Sequence, residues 1–311
     1  MADHRIVPER RTLHGHFSKD LPPVLTIAPG DRVTFQTLDA HWGIYEQPDP
    51  FAEPVLFTPR DPELDRGHAL CGPVRVSGAR AGQTLVVHIE QVQPGPWGWT
   101  SAGGYPSGLN RALGVADGPT HVIRWAIDAA AGVARDPSGR TVRLRPFMGV
   151  MGMPPAEPGR HSTIPPRATG GNIDCRELVA GSTLYLPIAV DGAWFSAGDG
   201  HGAQGDGEVS GVAIECPAVA TLRFELDDTR LALPRATTPA GWVAFGVHED
   251  LHQAAIMALG NLLDWMGESH GMSRKEALAL SSLRVNLRIT QLVNGVLGVH
   301  AVLPPDTLSS G

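Results

Sequence analysis

The side chains with the clearest chemical potential lie in one glycine-rich run, Gly198–Glu208, which reads GDGHGAQGDGE. It sets two aspartates, a glutamate, a glutamine and a histidine among five glycines. Each interior glycine destabilises a helix by roughly 0.5–1 kcal/mol relative to alanine, and unpaired carboxylates are rarely buried. The run is therefore predicted to be a loop outside the core. Carboxylates and an imidazole gathered on a stiff loop are typical metal ligands or acid–base groups.

The spacing within the run indicates a shared target for these side chains. Asp199 and His201 are two residues apart, as are Asp206 and Glu208. In an extended chain this spacing puts both members of a pair on one face. His41, two residues after another aspartate, repeats the spacing in the N-terminal part of the chain.

A purely structural interpretation of the run stays open beside the functional one. Gly-Asp-rich runs also form solvated turns or structural calcium loops. The EF-hand pattern does not fit, because the third and fifth positions counted from Asp199 are His201 and Ala203. The apolar segments Gly181–Val190 and Val209–Glu215 are predicted to be strands that enter and leave the loop and hold it in place.

Composition excludes several classes of function. The 311-residue chain has a net charge of −7 and no basic run, so nucleic acid is not an expected partner. No stretch approaches the ~20 apolar residues that span a bilayer, and the N-terminus lacks an apolar signal core. We therefore expect no membrane partner and a cytoplasmic location. Three cysteines without CxxC spacing argue against a disulfide framework and against a Cys-rich zinc site.

Lysine is nearly absent, and this restricts the mechanism. The chain has only Lys19 and Lys275, and neither lies in a context suited to a Cys-Glu-Lys or Ser-Ser-Lys catalytic arrangement. No GxSxG elbow is present either. If the chain is a hydrolase, a metal-activated water is the simplest remaining nucleophile, and no serine or cysteine is expected to act covalently.

The fold class is predicted from the spacing of turn-forming residues and from the periodicity of apolar ones. The 37 glycines and 27 prolines recur along the whole chain, a pattern that favours many short strands. We predict a mainly β fold, with sandwich- or barrel-like sheets of short strands, and a smaller α+β part with a C-terminal helix pair and a β-hairpin. The boundary is placed near residue 235. A β-rich part at 1–235 carries the Gly-Asp-His loop, and a helix-containing part at 236–311 packs on it.

The C-terminal part is predicted in more detail. Apolar residues at three- and four-residue spacing indicate a helix over Asp250–Glu268, and a capping box at Ser273 opens a second helix. Asn294-Gly295 between alternating segments predicts a hairpin. These elements are expected to build scaffold or a subunit contact, not the active centre. The tail, 304–311, is expected to be disordered or loosely held.

An aromatic segment, Pro94–Gly108, contains Trp97, Trp99 and Tyr105. Its rings either pin a flexible loop to the core or form a wall or lid that excludes water from a substrate. The wall is the favoured interpretation, because two tryptophans flanking Gly98 are not expected to be buried by a single strand face.

Several segments resemble the acetamidase/formamidase family of amide hydrolases. They read GPVRVSGARAGQTLVVHIEQV, RPFMGVMG, GGNIDCREL, GSTLYLPIAVDGAWFSAGDGHGAQGDGEVSGVAIE and LRITQLVNG. The resemblance runs over roughly residues 10 to 305, and its most specific part is GDGHGAQGDGEVSG. The length is similar to that of the shorter, acetamidase-like members. The resemblance implies that short aliphatic amides such as formamide or acetamide are hydrolysed to the acid and ammonia.

Site roles are assigned from side-chain chemistry within this family framework. The metal-ligand candidates carry carboxylates or imidazoles and are His41, Asp174, Asp199 and His201. Glu208 is the first choice for the general base, with Asp206 second. Gln204 and Asn172 carry neutral amides that could hydrogen-bond the substrate. Zinc suits the hydrolytic role best, and calcium is the alternative for a site made mainly of carboxylates and carbonyls.

Two other function classes stay open at this point. One is a hydrolase of another linear C–N bond, in a carbamate or a urea derivative. The other is a non-catalytic metal-binding β-protein, whose metal would be fully enclosed by protein ligands. The expected partners are a small-molecule amide substrate and a second copy of the chain in a homodimer.

Overall fold

The computed structural model describes residues 1–307, and most of its regular structure lies in two large β-sheets. Strands are numbered along the chain. The first sheet has nine strands among the described residues, in the order β1 (Asp3–Ile6), β5 (Arg32–Gln36), β18 (Ala218–Asp227), β7 (Thr84–Pro94), β15 (Thr183–Pro187), β19 (Arg235–Thr238), β20 (Gly241–His248), β22 (Leu297–Leu303) and β21 (Asn286–Gln291). The predicted mainly β class is confirmed.

The second sheet contains the glycine-rich run. Its main path is β11 (Thr141–Arg143), β10 (Val133–Arg135), β9 (His121–Asp128), β8 (Trp97–Ala102), β17 (Glu215–Cys216), β16 (Phe195–His201), β12 (Phe147–Gly152) and β14 (Gly170–Asn172). Strand β6 (Leu70–Val76) pairs with β16, and it also pairs with β2 (Leu13–His14) and β4 (Leu25–Ile27). A separate ribbon joins β3 (His16–Phe17) to β13 (His161–Ser162).

The main core lies between the two sheets. Phe195 of the second sheet packs against Phe35 and Phe224 of the first, with ring centroids 6.1 and 5.0 Å apart respectively. All three rings are fully buried. Burial alternates along β18, so one face of the strand points into this core and the other faces outward. The sandwich arrangement therefore follows from period-2 patterning.

The two long helices are α2 (Leu251–His270) and α3 (Arg274–Arg284), and α2 packs on β20 and β22 of the first sheet. A short helix, α1 (Gly108–Ala112), lies between β8 and β9 of the second sheet, and a 3-10 turn covers Arg10–Thr12. Asp250 caps α2 and Ser273 caps α3, each accepting a hydrogen bond from a backbone N–H of the first turn. In residues 1–307, no helix has both the length and the apolar character needed to cross a membrane.

The C-terminal helix pair and hairpin are confirmed. Helix α2 ends at His270 instead of the predicted Glu268, and Asn294 and Gly295 turn the hairpin with φ of 70° and 81°. Strand β19 pairs with β15 on one side and β20 on the other, so the first sheet continues across residue 235. The two-part division stays a prediction. The tail prediction extends to residues 308–311, which lie outside the described residues.

The loop prediction is wrong for Gly198–His201, and the predicted strand Val209–Glu215 is wrong up to Ile214. Gly198–His201 forms the buried end of β16. Glycine is required at positions 198 and 200 because neighbouring backbones approach closely. A Cβ on Gly198 would lie 2.4 Å from the Ala69 carbonyl oxygen, and one on Gly200 would lie 2.6 Å from that of Cys216. Conversely, Val209–Glu215 is irregular up to Ile214, since Gly211 has a φ of +88° that breaks the extended chain.

The aromatic segment begins as a strand and not as a lid, and Trp99 lines a surface cleft, as the predicted wall would. Trp97 and Trp99 lie on strand β8 and are both buried from the same strand face, as residues two apart in a strand must be. Trp97 donates to the carbonyls of Ile44 and Tyr45. One strand face buries both rings, contrary to the expectation, and these rings anchor β8 to the loop that follows β5.

Candidate functional site

Four carboxyl groups and one imidazole meet in the interior beside β16. They belong to Asp174, Asp199, His201, Glu208 and Glu215, each at most 5% exposed. Two overlapping groups, Asp174–Asp199–His201 and His201–Glu208–Glu215, have ligand atoms that lie within 4.8 Å of one another. His201 Nε2 lies 3.3 Å from both Asp199 Oδ1 and Glu215 Oε2. The histidine is therefore the centre of the cluster.

Four segments of the second sheet and its connections position these groups. Strand β16 supplies Asp199 and His201 from one strand face, in agreement with their two-residue spacing. Strand β17 pairs with β16 and places Glu215 in register with His201. Asp174 follows β14 within two residues, and Glu208 arrives from the loop after β16.

Three of the four acidic residues have left-handed backbone. The φ angles are 49° at Asp174, 60° at Asp199 and 44° at Glu208. This region is uncommon outside glycine, and it is least unfavourable for aspartate among the acidic residues. Such conformations persist where the surrounding structure imposes them, and they concentrate at functional sites. The backbone thus holds the carboxylates at a cost in stability.

Gln204 orients the central histidine. Its Nε2 donates to the Asp174 carbonyl at 2.7 Å, which leaves its Oε1 facing His201 Nδ1 at 2.9 Å. The amide oxygen can only accept, so this network assigns the Nδ1 proton and directs Nε2 toward the carboxylates. Both ends of the Gln204 amide are engaged within the protein. We therefore assign Gln204 to positioning His201, in place of the predicted substrate contact.

Burial and mutual charge shift the pKa values of the cluster. Burial raises the pKa of Glu208 to about 7 and that of Glu215 to about 8. Burial also raises the pKa of Asp174, and the charges of Glu208 and Asp199 raise it further. Burial alone would lower the pKa of His201, but Glu215 and Asp199 raise it well above its ordinary value. The cluster therefore carries more acidic groups than one imidazolium can neutralise.

The donor set fits a divalent cation. Asp174 Oδ1 is buried and has no hydrogen-bond partner among the described residues. At Gly149, an added Cβ would lie 2.4 Å from Asp199 Oδ2 and 2.7 Å from Asp174 Oδ1, so this glycine makes room for both carboxylates. Carboxylate oxygens and an imidazole nitrogen suit zinc and other hard or borderline cations, and a site without sulfur disfavours copper(I).

A small cavity of about 50 Å³ opens onto the cluster, and a larger cleft of about 670 Å³ lies outside it. The two share Ala40, His41 and His68 as lining residues. His41 belongs to neither donor group, and its ring packs against Trp99 with centroids 4.7 Å apart. The structure therefore places His41 at the passage between cavity and cleft.

The remaining predicted residues divide between the cavity and its surroundings. Asn172 lines the cavity, and its Nδ2 donates to the Ile164 carbonyl at 2.9 Å. Its buried Oδ1 has no partner among residues 1–307. Asp206 points elsewhere and pairs with Arg288 Nε at 3.0 Å. Asn172 is thus available to a ligand, whereas Asp206 is engaged outside the cluster.

Sequence reasoning missed Glu215, His68 and Asn294. Asn294 Nδ2 lies 3.1 Å from Asp174 Oδ2 and 3.3 Å from Glu208 Oε2, so the predicted hairpin reaches the cluster. The expectation that the hairpin is remote from the active centre is wrong for this residue. Glu215 had a signal, a single carboxylate after the apolar stretch Val-Ala-Ile, and Asn294 stands in the predicted hairpin turn, whose signal did not indicate a contact with the cluster.

Comparison with known proteins places this geometry in a family context. The acetamidase/formamidase family matches residues 2–160 and 156–307. The acetamidase of Mycolicibacterium smegmatis is 28% identical over 254 residues, which cover 63% of this chain and 61% of that protein. The matches span 60–65% of the length of the curated relatives.

Solved structures match over nearly the whole chain. An acetamidase from Yersinia enterocolitica is 27% identical with a TM-score of 0.84, covering 99% of this chain and 93% of that one. An acetamidase from Bacillus halodurans is 26% identical with a TM-score of 0.82, covering 96% and 97%. The chain belongs to the acetamidase/formamidase family.

Proposed function

We propose that this protein hydrolyses short aliphatic amides of the acetamide and formamide type to a carboxylic acid and ammonia, with the help of a divalent metal. One observation carries the proposal. The buried group of Asp174, Asp199 and His201 lies next to a further carboxyl group, Glu208, at the end of a cavity that can admit an amide head group. The names of the relatives support the same activity.

Asp174, Asp199 and His201 would hold the metal as its three protein donors, and the Glu215 carboxyl group lies beside His201, 3.3 Å from Nε2. A bound divalent cation would polarise the amide carbonyl and lower the pKa of a water to about 7. Zinc is our first choice, because three protein donors leave a position open for chemistry, and calcium is the alternative. Gln204 keeps the His201 imidazole in the tautomer that such a role needs.

Glu208 acts as the general base in this proposal. Its carboxylate is buried, and Asn294 holds Oε2 through a 3.3 Å hydrogen bond. It accepts a proton from water and passes this proton to the leaving amine. The unpartnered Oδ1 of Asn172 accepts a hydrogen bond from the substrate N–H₂. Asp206 is unsuited to the base role, because Arg288 neutralises it away from the cavity.

Ammonia release across amides, carbamates and ureas, before and after chelation, tests the proposal. We expect turnover of formamide or acetamide that chelation abolishes and metal restores. If a carbamate or urea were turned over faster than formamide and acetamide, the substrate class would be different, but metal-assisted hydrolysis of a C–N bond would still be the reaction. Bound metal without turnover of any C–N substrate would instead support a non-catalytic binding protein. The expected zinc preference, homodimer, cytoplasmic location and lack of nucleic-acid binding stay predictions.

A further inference from the structure

The cleft outside the acidic cavity is much larger than acetamide requires. Its volume of about 670 Å³ falls in the range of roughly 300–1,000 Å³ that holds drug-sized ligands. The inner cavity of about 50 Å³ suffices for an amide head group. The cleft is therefore free to accommodate a substituent that extends outward between His41 and His68, which line both spaces.

One face of strands β8 and β9 forms a wall of the cleft. Trp99 is paired with Arg124, and Ser101 with Val122, and all four line the cleft. Residues paired across two strands share a sheet face. Because the Trp99 ring packs against His41, the Arg124 side chain lies on the face that leads to the inner cavity. A chain bound along this face would run from the cavity toward Arg124.

The cleft also gathers apolar side chains that are exposed to solvent. Val122, Leu56 and Ile164 are 44%, 47% and 46% exposed, and all three line it. Single exposed apolar residues are ordinary, but several around one concave surface are typical of a ligand site. These side chains suit the methylene groups of a substrate.

Arg124 offers a charge at the end of this path. Its side chain is only 16% exposed, and it pairs with Glu53, which is 89% exposed. Because Glu53 is so exposed, breaking its pair with Arg124 costs this carboxylate little free energy, whereas the partly buried guanidinium needs an anionic partner. By contrast, Arg60 is held over the Trp42 ring at 4.7 Å. Glu53 therefore occupies a position that a ligand carboxylate can take.

We propose that the cleft binds the acyl chain of primary amides that end in a carboxylate, and that Arg124 selects for this carboxylate. The inference rests on the proposed amidase function of the acidic cavity and names its substrate class. The amide enters the inner cavity, the methylene groups contact the apolar wall, and the distal carboxylate replaces Glu53 on Arg124. Hydrolysis then releases ammonia and a dicarboxylic acid.

The test compares adipamic acid with hexanamide, which have the same number of carbons and differ in the distal group. We expect kcat/KM for adipamic acid to exceed that for hexanamide by about 10- to 100-fold, the range of a charge-assisted hydrogen bond. Arg124→Gln should abolish this ratio. Glu53→Gln should raise it about two- to fivefold, because the competing surface pair is lost. Arg66→Gln, a change at an arginine that is 71% exposed on the rim and pairs with Glu63, is the control and should keep the ratio.

Titration calorimetry with the same two compounds separates this inference from the proposed function. Tighter binding of adipamic acid that Arg124→Gln removes, without turnover of either compound, would keep the inference and refute the amidase function. Turnover of both compounds with equal kcat/KM and equal Kd would keep the amidase function and overturn the inference. A preference for hexanamide over both adipamic acid and acetamide would also overturn it, because the cleft would then select for apolar chains.

Discussion

Gly149 controls the geometry of the acidic cluster, and Gly149→Ala tests whether that geometry matters. The residue lies on β12, where it faces Asp199 and Asp174 across the sheet. Its φ lies outside the left-handed region, so alanine introduces no backbone strain. The effect of the substitution is therefore confined to the space that the new methyl group takes from the carboxylates.

The structure sets the size of the displacement. Ordinary contacts begin at 3.4 Å, so Asp199 Oδ2, at 2.4 Å from the added Cβ, must withdraw by about 1 Å, and Asp174 Oδ1 by about 0.7 Å. A displacement of about 1 Å in a reacting group costs on the order of 10²-fold in rate. Overpacking of this kind destabilises a fold by about 1–3 kcal/mol. We therefore expect a folded protein with kcat about 10²-fold lower and with less bound metal.

The assay measures ammonia release, metal content and urea unfolding on one preparation. Gly108→Ala is the matched control, because a Cβ at Gly108 meets nothing within 4 Å and its φ is also outside the left-handed region. The control should keep activity and metal. If Gly149→Ala kept wild-type kcat and metal content, the cluster would not be the catalytic centre.

Three further predictions address the cluster and its surroundings. Gln204→Leu removes the acceptor for His201 Nδ1 and should lower metal affinity or kcat by about 10- to 100-fold, as measured by metal titration and ammonia release. Cys216→Ala should lose less than about tenfold in kcat, because burial raises the pKa of this thiol and keeps it protonated; a larger loss in a folded variant would point to a covalent thiol. Burial lowers the pKa of His14 from 6.5 to about 4, so between these pH values the unfolded chain binds a proton at His14 and the folded chain does not. The free energy of unfolding is therefore not reduced by His14 above pH 6.5, and it falls by about 3 kcal/mol as pH drops to 4. Urea unfolding from pH 7.5 to 4 should show that His14→Gln, unlike the exposed His252→Gln, flattens this dependence; equal slopes would contradict the assignment.

The parts of the fold that depend on local sequence were predictable. Asp250 and Ser273 cap the two helices that their sequence signatures indicated, and Asn294-Gly295 turns the hairpin. Caps and two-residue turns are set by a few neighbouring residues. The pairing of Asp199 with His201 was predictable for the same reason, because a two-residue spacing fixes the shared face of a strand.

The parts of the site that depend on long-range contacts were not predictable. Asn294 contacts Asp174 and Glu208 across 120 and 86 residues of sequence. Glycines at β16 were interpreted as loop formers, although they admit the close approach of neighbouring strands. The role of a glycine depends on what surrounds it, and a single sequence does not contain that information.

The most direct test of the proposed mechanism is Glu208→Gln, with bound metal and kcat measured on the same preparation. The substitution keeps the size of the side chain and its hydrogen bond with Asn294, but it removes the proton acceptor. We predict wild-type metal content, an unchanged fold and a kcat lower by roughly 10²–10⁴-fold, the range of general acid–base catalysis. Loss of metal would make Glu208 a ligand, and unchanged turnover would contradict its catalytic role.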